Sequence, residues 1–367
     1  MSVHIYHHYD ADGYASAAVL IRYALSSIVD DNLIQCYSCE HSSTMNFENV
    51  KEDDIVFIVD YSFPDSDKEN LKNLFNNVTK EIYWIDHHAT SDRIVSECDE
   101  FFKMSKNGLL DTTNIYSGCL LTYLWTLNFK VVHSGLMPSK LVVDRNHLFD
   151  IDVRKMLNED PSSSVYSVAP LWVQLISDHD TFRHQIEDSL EFARGLLYEG
   201  LYNVFLNKES LLSFTYNIPS DDIYYEYANI RNIVNKGKII ITNDEIKNKS
   251  LCKNNAFKSI FTFIDENNEE SHFSVICLNG YGNSTVFGEL YDIYNAVCIF
   301  NYDGEKYRYS LYAKKESKIN CSHVGLYFNN KYKMNGGGHC HAAGWSCPIN
   351  IFEKDKNIEI KLSEINK

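Results

Sequence analysis

Residues 3–25 of the chain, VHIYHHYDADGYASAAVLIRYAL, have the pattern of a strand, a polar turn and a helix in succession. The stretch Val3–His7 is β-prone, and Asp10–Gly13 has the acidic and glycine-rich composition of a turn. Ala15–Leu25 consists of strong helix formers with an apolar face. This order predicts a strand and a helix that are joined by a turn carrying carboxylate and imidazole side chains.

Two further apolar runs predict strands of the same sheet. Ile55–Val59 (IVFIV) and Ile82–Ile85 (IYWI) are continuously hydrophobic, as strands of a parallel sheet covered on both faces must be. An acidic residue follows each run, Asp60 after the first and Asp86 after the second. Ligands of open α/β sheets bind beyond the carboxyl ends of the strands. We therefore expect Asp60 and Asp86 at a ligand-binding edge of the sheet.

The remaining sequence predicts the domain organisation. Helical patterns occur at Ser117–Leu127 and at about 170–177, and the mixed segment between them, 129–168, is interpreted as an insertion or lid. From about 255 the pattern is rich in strands and leads to a glycine cluster at 335–344. The predicted domains are a first domain over 1–190, a helical connector over 191–250 and a second domain over 251–367.

Charge and composition exclude several classes of function. The chain has 367 residues and a formal net charge of −16, and no basic run of the kind that tracks long nucleic acid is present. A substrate with few phosphates fits this charge better than a long duplex. No apolar run reaches the roughly 18 residues of a membrane span, and the N-terminus lacks the features of a secretory signal. We therefore expect a cytoplasmic protein without a membrane partner, whose ten cysteines are reduced thiols.

Four short polar motifs carry the ligands of a metal centre. They are HHYDADG at 7–13, the single carboxylate Asp60, the triplet Asp86-His87-His88, and ISDHD at 176–180 with Asp178. Mn²⁺ accepts this mixture of carboxylate and imidazole ligands. Together the motifs supply enough ligands for two ions about 3.5–4 Å apart that share a bridging carboxylate. From spacing alone, His7 and His8 both remain candidates for the upstream imidazole.

These motifs resemble those of a known superfamily. HHYDADGYAS, IVDYS, WIDHHA and ISDHD, in this order, resemble the four motifs of the DHH phosphoesterases. YSLY at 309–312 and NGGGHCHAAG at 335–344 resemble the DHH-associated C-terminal domain of nano-RNases, phosphoadenosine phosphatases, cyclic-dinucleotide phosphodiesterases and RecJ-type exonucleases. The resemblance implies a two-lobed α/β fold, with a parallel-sheet N-terminal DHH domain and a smaller α/β C-terminal domain across a cleft.

The resemblance also implies roles for individual residues. Asp60 would be the bridging ligand, Asp86 would orient the site, and His88 would face the substrate phosphate. The implied metal ligands are His8, with His7 as its rival, Asp10, Asp12, Asp60, His87 and Asp178. The implied catalytic residues are His88, Asp86 and His339, and the implied substrate-binding residues are Gly336, Gly337, Gly338, His339, Ser310 and Tyr312. Tyr312 stands where many relatives have an arginine, which removes a bidentate phosphate contact.

The activity that the resemblance implies is hydrolysis of phosphodiester or phosphate bonds by a metal-bridged hydroxide. The expected cofactor is a pair of Mn²⁺ ions, with Mg²⁺ or Co²⁺ as alternatives. The expected substrates are small nucleotides, dinucleotides or very short oligonucleotides, and a homodimer is expected only by analogy with the family. Two alternatives remain open: a RecJ-like single-strand exonuclease, and a sensor that binds a nucleotide without hydrolysing it.

Overall fold

The computed structural model divides the chain into two compact units, Met1–Ile240 and Ile241–Lys367. The boundary lies within the segment that the sequence predicts as a helical connector. The structure describes residues 2–25, 29–40, 45–63, 68–77, 81–88, 91, 108–111, 115–127, 131–132, 142–143, 169–207, 223–264, 269–334, 336–352 and 357–361. Every cysteine within these ranges is free, as the sequence predicts.

The first unit is built on a parallel sheet of five strands in the order β2-β1-β3-β4-β5. Its strands are β1 (Val3–His8), β2 (Ile34–Cys39), β3 (Ile55–Val59), β4 (Ile82–Asp86) and β5 (Leu109–Leu110). Its helices are α1 (Ala11–Leu20), α2 (Lys68–Asn77), α3 (Gly118–Leu127), α4 (Leu171–Asp180), α5 (Ser189–Glu199) and α6 (Leu201–Phe205). The predicted α/β class with a parallel N-terminal sheet is confirmed.

Burial on both faces explains why the strands are continuously apolar. Phe57 and Ile85 pack with residues of α1, α3 and α4 in one core cluster. Ile58 and Trp84, which point to the opposite face, pack with residues of α2 in another. A parallel strand that is covered on both faces has no solvent side on which polar residues could alternate.

Helix α1 begins earlier than the sequence predicts. The prediction placed Asp10–Gly13 in a turn and started the helix at Ala15, but α1 begins at Ala11 because Asp10 caps it. The Oδ1 atom of Asp10 accepts a hydrogen bond from Gly13 N at 2.9 Å. A Cβ atom on Gly13 would overlap the backbone of His8, and the glycine therefore lets α1 start directly against the end of β1.

The predicted insertion at 129–168 falls mostly outside the described residues. Within it the structure describes two short strands, β6 (Val131–Val132) and β7 (Val142–Val143), which pair antiparallel. Helix α4 extends to Asp180, three residues beyond the predicted end of this helix. Helix α7 (Ile223–Asn255) then carries the chain from the first unit into the second.

The second unit contains a seven-stranded mixed sheet in the order β12-β13-β11-β10-β9-β8-β14. Its strands are β8 (Phe257–Ile264), β9 (Glu270–Asn279), β10 (Ala296–Tyr302), β11 (Tyr307–Ala313), β12 (Gly336–Gly338), β13 (Ala342–Cys347) and β14 (Asn357–Lys361). Its helices are α8 (Glu289–Ile293) and α9 (Cys321–Tyr332). The three glycines of the predicted loop thus form an edge strand, β12, which pairs antiparallel with β13. Among the described residues, no helix combines the length and the apolarity needed to cross a membrane.

Candidate metal centre

The carboxyl ends of β1, β3 and β4 bring the motifs of the first unit together. The parallel registers align His7 with Val59 and Val59 with Ile85. The residues that follow these positions therefore emerge at one edge of the sheet. Helix α1 begins beside this edge and adds Asp10 and Asp12, and the last residue of α4, Asp180, also reaches it.

Three groups of potential metal ligands lie at this edge, each with donor atoms within 4.8 Å of one another. They are His8 with Asp10 and Asp60, Asp12 with His87 and Asp180, and Asp60 with His87 and His88. The first two groups have no member in common and are here named position A and position B, in that order. Asp60 connects them, since its Oδ1 lies 3.2 Å from Nε2 of His87.

Asp60 shows that the residues fit a cation. Its carboxylate is fully buried, and among the described residues no donor forms a hydrogen bond to either oxygen. Burial, together with the negative charges of Asp12, Asp10, Asp180 and Asp86, raises the pKa of Asp60 well above its usual value. Burial and neighbouring carboxylates raise the pKa of Asp180 in the same way. A divalent cation would remove this repulsion, and these ligands suit Mn²⁺ or Mg²⁺.

The backbone of Asp60 is also unusual. Its φ angle is +52°, a left-handed conformation that costs free energy for a residue with a Cβ atom. Gly118 packs against this residue: a Cβ atom on Gly118 would lie 2.5 Å from Cβ and 2.6 Å from Oδ1 of Asp60. Because Gly118 has no side chain, the start of α3 lies closer to Asp60 than it could with any other residue at position 118.

Asp12 is buried and held by the start of α3. Its Oδ1 accepts hydrogen bonds from Ser117 Oγ at 2.8 Å and from Cys119 N at 3.0 Å. Its Oδ2 accepts one from Gly118 N at 2.6 Å and lies 3.8 Å from Nε2 of His87. A carboxylate placed on the free N–H groups of a helix N-terminus is electrostatically favourable.

Asp180, and not the predicted Asp178, completes position B. Oδ2 of Asp180 lies 3.5 Å from Nε2 of His87. Both oxygens of Asp178 instead accept backbone hydrogen bonds, from Gln185 N at 2.9 Å and from Ile186 N at 3.1 Å. Residues two apart on an α-helix point about 200° apart, so only one of the two carboxylates can face the site. The motif ISDHD contains both aspartates, and its sequence does not indicate which of them faces the site.

The structure also distinguishes between the two upstream histidines. His8 belongs to position A, and its Nδ1 lies 2.8 Å from Oδ2 of Asp10. Burial would raise the pKa of Asp10, but the contact with His8 keeps it below the usual value. The side chain of His7 belongs to none of the three ligand groups. It is buried, its Nδ1 lies 2.8 Å from the carbonyl oxygen of His8, and its ring contacts Tyr14.

The buried Asp86 and the partly exposed His88 form a pair beside the metal ligands. Asp86 Oδ1 lies 2.7 Å from Nδ1 of His88, and its Oδ2 accepts a hydrogen bond from Ser91 Oγ. Burial alone would lower the pKa of His88, but the hydrogen bond and the charge of Asp86 raise it to about 9. His88 is therefore a cation at neutral pH that Asp86 holds in one orientation. Nothing in the sequence singles out Ser91 for this contact, because serine is a common residue in loops.

The predicted substrate-binding residues lie in the second unit. His339 follows the edge strand β12 with an exposed side chain, and its N–H donates to Ala342 O at 2.7 Å. Ser310 and Tyr312 lie on β11 with one residue between them, and both side chains are half-buried. The ring of Tyr312 packs on a core cluster of this unit that includes Val297 and Ile299. The roles of these residues in substrate binding stay predictions.

Comparison with known proteins finds a family match within the first unit. Residues 2–139 match the model of the DHH family, N-terminal domain. No curated protein matches the chain. Among solved structures, the DHH domain of a member of the s1p family of ribosomal proteins is 13% identical, covering 94% of this chain and 82% of that one, with a TM-score of 0.53. At this identity the similarity supports a shared fold.

Two further solved structures are similar to the chain. The pGpG-specific phosphodiesterase PggH of Vibrio cholerae is 13% identical over 95% of this chain and 94% of its own, with a TM-score of 0.38. RecJ of Thermus thermophilus in complex with Mn²⁺ is 14% identical over 98% of this chain and 53% of its own, with a TM-score of 0.45. The segment that matches the family model contains five of the six members of positions A and B, all except Asp180. Residues 2–139 are therefore similar to a DHH-family N-terminal domain.

Proposed function

We propose that the chain is a metal-dependent phosphoesterase that hydrolyses phosphodiester or phosphate bonds of small nucleotides, dinucleotides or very short oligonucleotides. The match of residues 2–139 to the DHH family, which includes metal-dependent phosphoesterases, supports the reaction class. The observation that carries the proposal is the buried carboxylate of Asp60, which lacks hydrogen-bond donors among the described residues and stands between positions A and B.

The proposed cofactor is a pair of Mn²⁺ ions, held by the ligands of positions A and B. A pair of divalent cations lowers the pKa of a water and neutralises charge on a reacting phosphate. Phosphoryl transfer depends mainly on positioning and charge neutralisation, and it needs no nucleophilic side chain. The proposed ligand set is His8, Asp10, Asp12, Asp60, His87 and Asp180.

His88 would act on the substrate phosphate. Asp86 stabilises the imidazolium form of the His88 side chain. A fixed cation beside the ligand groups Asp60 and His87 would stabilise the negative charge that develops on the phosphate oxygens. In this scheme the role of Asp86 is to orient the ring of His88 and to stabilise its protonated form.

The proposed restriction to small substrates rests on charge. With a net charge of −16 and no basic run, the chain lacks the means to neutralise many phosphates of a long strand. A few phosphates can be neutralised by two cations and His88. The substrate contacts that the resemblance implies for Gly336–Gly338 and His339 are a further part of this proposal.

The test is hydrolysis of a panel of compounds by the full chain with Mn²⁺, followed by chromatography. The panel contains linear and cyclic dinucleotides, phosphoadenosine phosphate, and RNA of 2 and 20 nucleotides. We expect turnover of at least one small substrate by the wild type and none by Asp60→Ala with an unchanged circular dichroism spectrum. Undiminished turnover by Asp60→Ala would refute the assignment of the site.

The same panel separates the two alternatives. Equal rates on the 2-mer and the 20-mer would favour a single-strand exonuclease over an enzyme for short substrates. Binding of a nucleotide without any product, at every Mn²⁺ concentration, would favour a sensor.

A further inference from the structure

Ser117 stands between two members of position B. Its hydroxyl donates to Oδ1 of Asp12 at 2.8 Å, and its backbone N–H donates to Ser177 Oγ at 3.3 Å. Ser177 lies on α4, three residues before Asp180. A single buried residue thus connects the carboxylate of Asp12 with the helix that carries Asp180.

The carboxylate of Asp12 is fixed before any cation arrives. Ser117, Gly118 and Cys119 give it three hydrogen bonds at the start of α3, and its side chain is fully buried. Held in this way, the buried carboxylate of Asp12 cannot turn away from His87 without losing its hydrogen-bond donors. The carboxylate of Asp60, by contrast, accepts no hydrogen bond from any part of the chain that the structure describes.

We propose that Ser117 is a positioning residue for metal binding: it sets the distance between Asp12 and α4 so that position B is formed in advance. The proposal rests on the proposed metal centre. Groups that orient metal ligands are worth about 10- to 100-fold in metal affinity. The hydroxyl and the N–H of Ser117 bond to Asp12 and Ser177, and we therefore expect its effect at position B.

The first test is Mn²⁺ binding to Ser117→Ala, measured by calorimetry and by the electron paramagnetic resonance of free Mn²⁺, without substrate. Two reference variants assign the binding steps, because Asp180→Asn removes a ligand of position B only and His8→Ala a ligand of position A only. We expect Ser117→Ala to weaken the step lost in Asp180→Asn by about 10-fold or more. The step lost in His8→Ala should change by less than about twofold.

Thr122→Ala is the matched control. Thr122 is also buried on α3, and its hydroxyl donates to Gly118 O at 2.7 Å rather than to Asp12. Both variants lose one buried hydroxyl, Ser117→Ala from the residue before α3 and Thr122→Ala from α3 itself. If Ser117 only stabilises the fold, both variants should lower the thermal unfolding midpoint by similar amounts, and neither should change the affinity for Mn²⁺. The proposal predicts that only Ser117→Ala changes the affinity of position B.

A second variant keeps the test decisive if Ser117→Ala does not fold. Ser177→Ala removes the acceptor of the Ser117 N–H and leaves the hydroxyl bond to Asp12 in place. We expect a smaller loss at the same binding step. If either variant folds and binds Mn²⁺ at position B with the affinity of the wild type, the proposal is wrong. Absence of Mn²⁺ binding by the wild type would instead overturn the proposed metal centre, and the two failures are therefore distinguishable.

Discussion

At the scale of single residues, the site carries a cost to stability. Asp60 combines a buried charge, acidic neighbours and a left-handed backbone, and each of these features disfavours the folded state without a cation. Such strain is found where function requires it. The sequence shows only an aspartate after an apolar strand, which is also an ordinary turn residue.

Asp60→Asn should stabilise the metal-free protein and abolish metal binding. The amide removes the buried negative charge, and asparagine tolerates a left-handed backbone better than most residues do. We expect the free energy of unfolding in EDTA to rise by about 1–2 kcal/mol. Urea unfolding at pH 7 measures this difference, and added Mn²⁺ should stabilise only the wild type. A variant less stable than the wild type in EDTA would contradict this reading of Asp60.

The pair Asp54–His4 predicts a dependence of stability on pH away from the metal centre. Burial would raise the pKa of Asp54, but hydrogen bonds from Ser2 N at 2.6 Å and Lys51 N at 2.9 Å, and His4 Nε2 at 3.2 Å, hold it below its usual value. A lowered folded-state pKa adds stability above the unfolded pKa of about 3.9, and this stability is lost as the pH falls through the folded-state pKa.

Asp54→Asn measures this contribution. We expect the variant to be less stable than the wild type by about 1–3 kcal/mol at pH 7, the cost of weakening hydrogen bonds to a charged group. The difference should shrink below about pH 4, where the wild-type carboxylate begins to protonate. Denaturant unfolding of both proteins from pH 7 to pH 3 checks it. A difference that stays constant over this range would show that the charge of Asp54 is not responsible.

At the scale of elements, glycines determine how closely the helices of the first unit pack. A Cβ atom on Gly195 of α5 would overlap Ile233 O of α7, and one on Gly237 of α7 would overlap Glu191 O of α5. Two glycines thus bring the backbones of these helices into contact. In sequence, a glycine inside a helical pattern indicates only a weaker helix.

Gly195→Ala and Gly237→Ala should each destabilise the chain by about 1–3 kcal/mol, because the added methyl group forces the two helices apart. Alanine is the better helix former by about 1 kcal/mol, so the expected sign is opposite to that of helix propensity. Asn243→Ala, at an exposed position of α7, is the control and should be neutral or slightly stabilising. Thermal unfolding of the three variants decides between packing and propensity.

At the scale of the whole molecule, the two units have separate predicted tasks. The first unit contains all of the groups that could hold a metal ion among the residues described. The second contains His339 and the other predicted substrate contacts, on and beside a mixed sheet. This division predicts that substitutions at the predicted substrate contacts of the second unit lower substrate turnover and leave metal affinity unchanged.

His339→Ala tests this division. We expect Mn²⁺ affinity within about twofold of the wild type. Turnover of the best substrate of the panel should fall by about 100-fold, the typical loss for one group that stabilises charge in the transition state. Calorimetry with Mn²⁺ and steady-state kinetics measure the two quantities. Unchanged kinetics would remove His339 from the proposed site, and a large loss of Mn²⁺ affinity would contradict the separation of tasks.

The sequence by itself determined the α/β class, three of the five parallel strands of the first unit (β1, β3 and β4), and the strand ends at which Asp60, Asp86 and His87 are found. It could do so because apolar runs record burial on both faces of a sheet, and because short polar motifs mark where such strands end. The start of α1 was predicted four residues late, since a capping aspartate and a turn aspartate look alike in sequence.

Only the tertiary structure decided which side chains meet. It selected His8 over His7 and Asp180 over Asp178, because neighbouring residues on a strand or a helix point in different directions and the packing fixes which direction is the site. It also brought Ser117 to Asp12, 105 positions away in the chain. A contact between elements depends on how helices pack on the sheet, and a residue's own neighbours in the sequence do not record it.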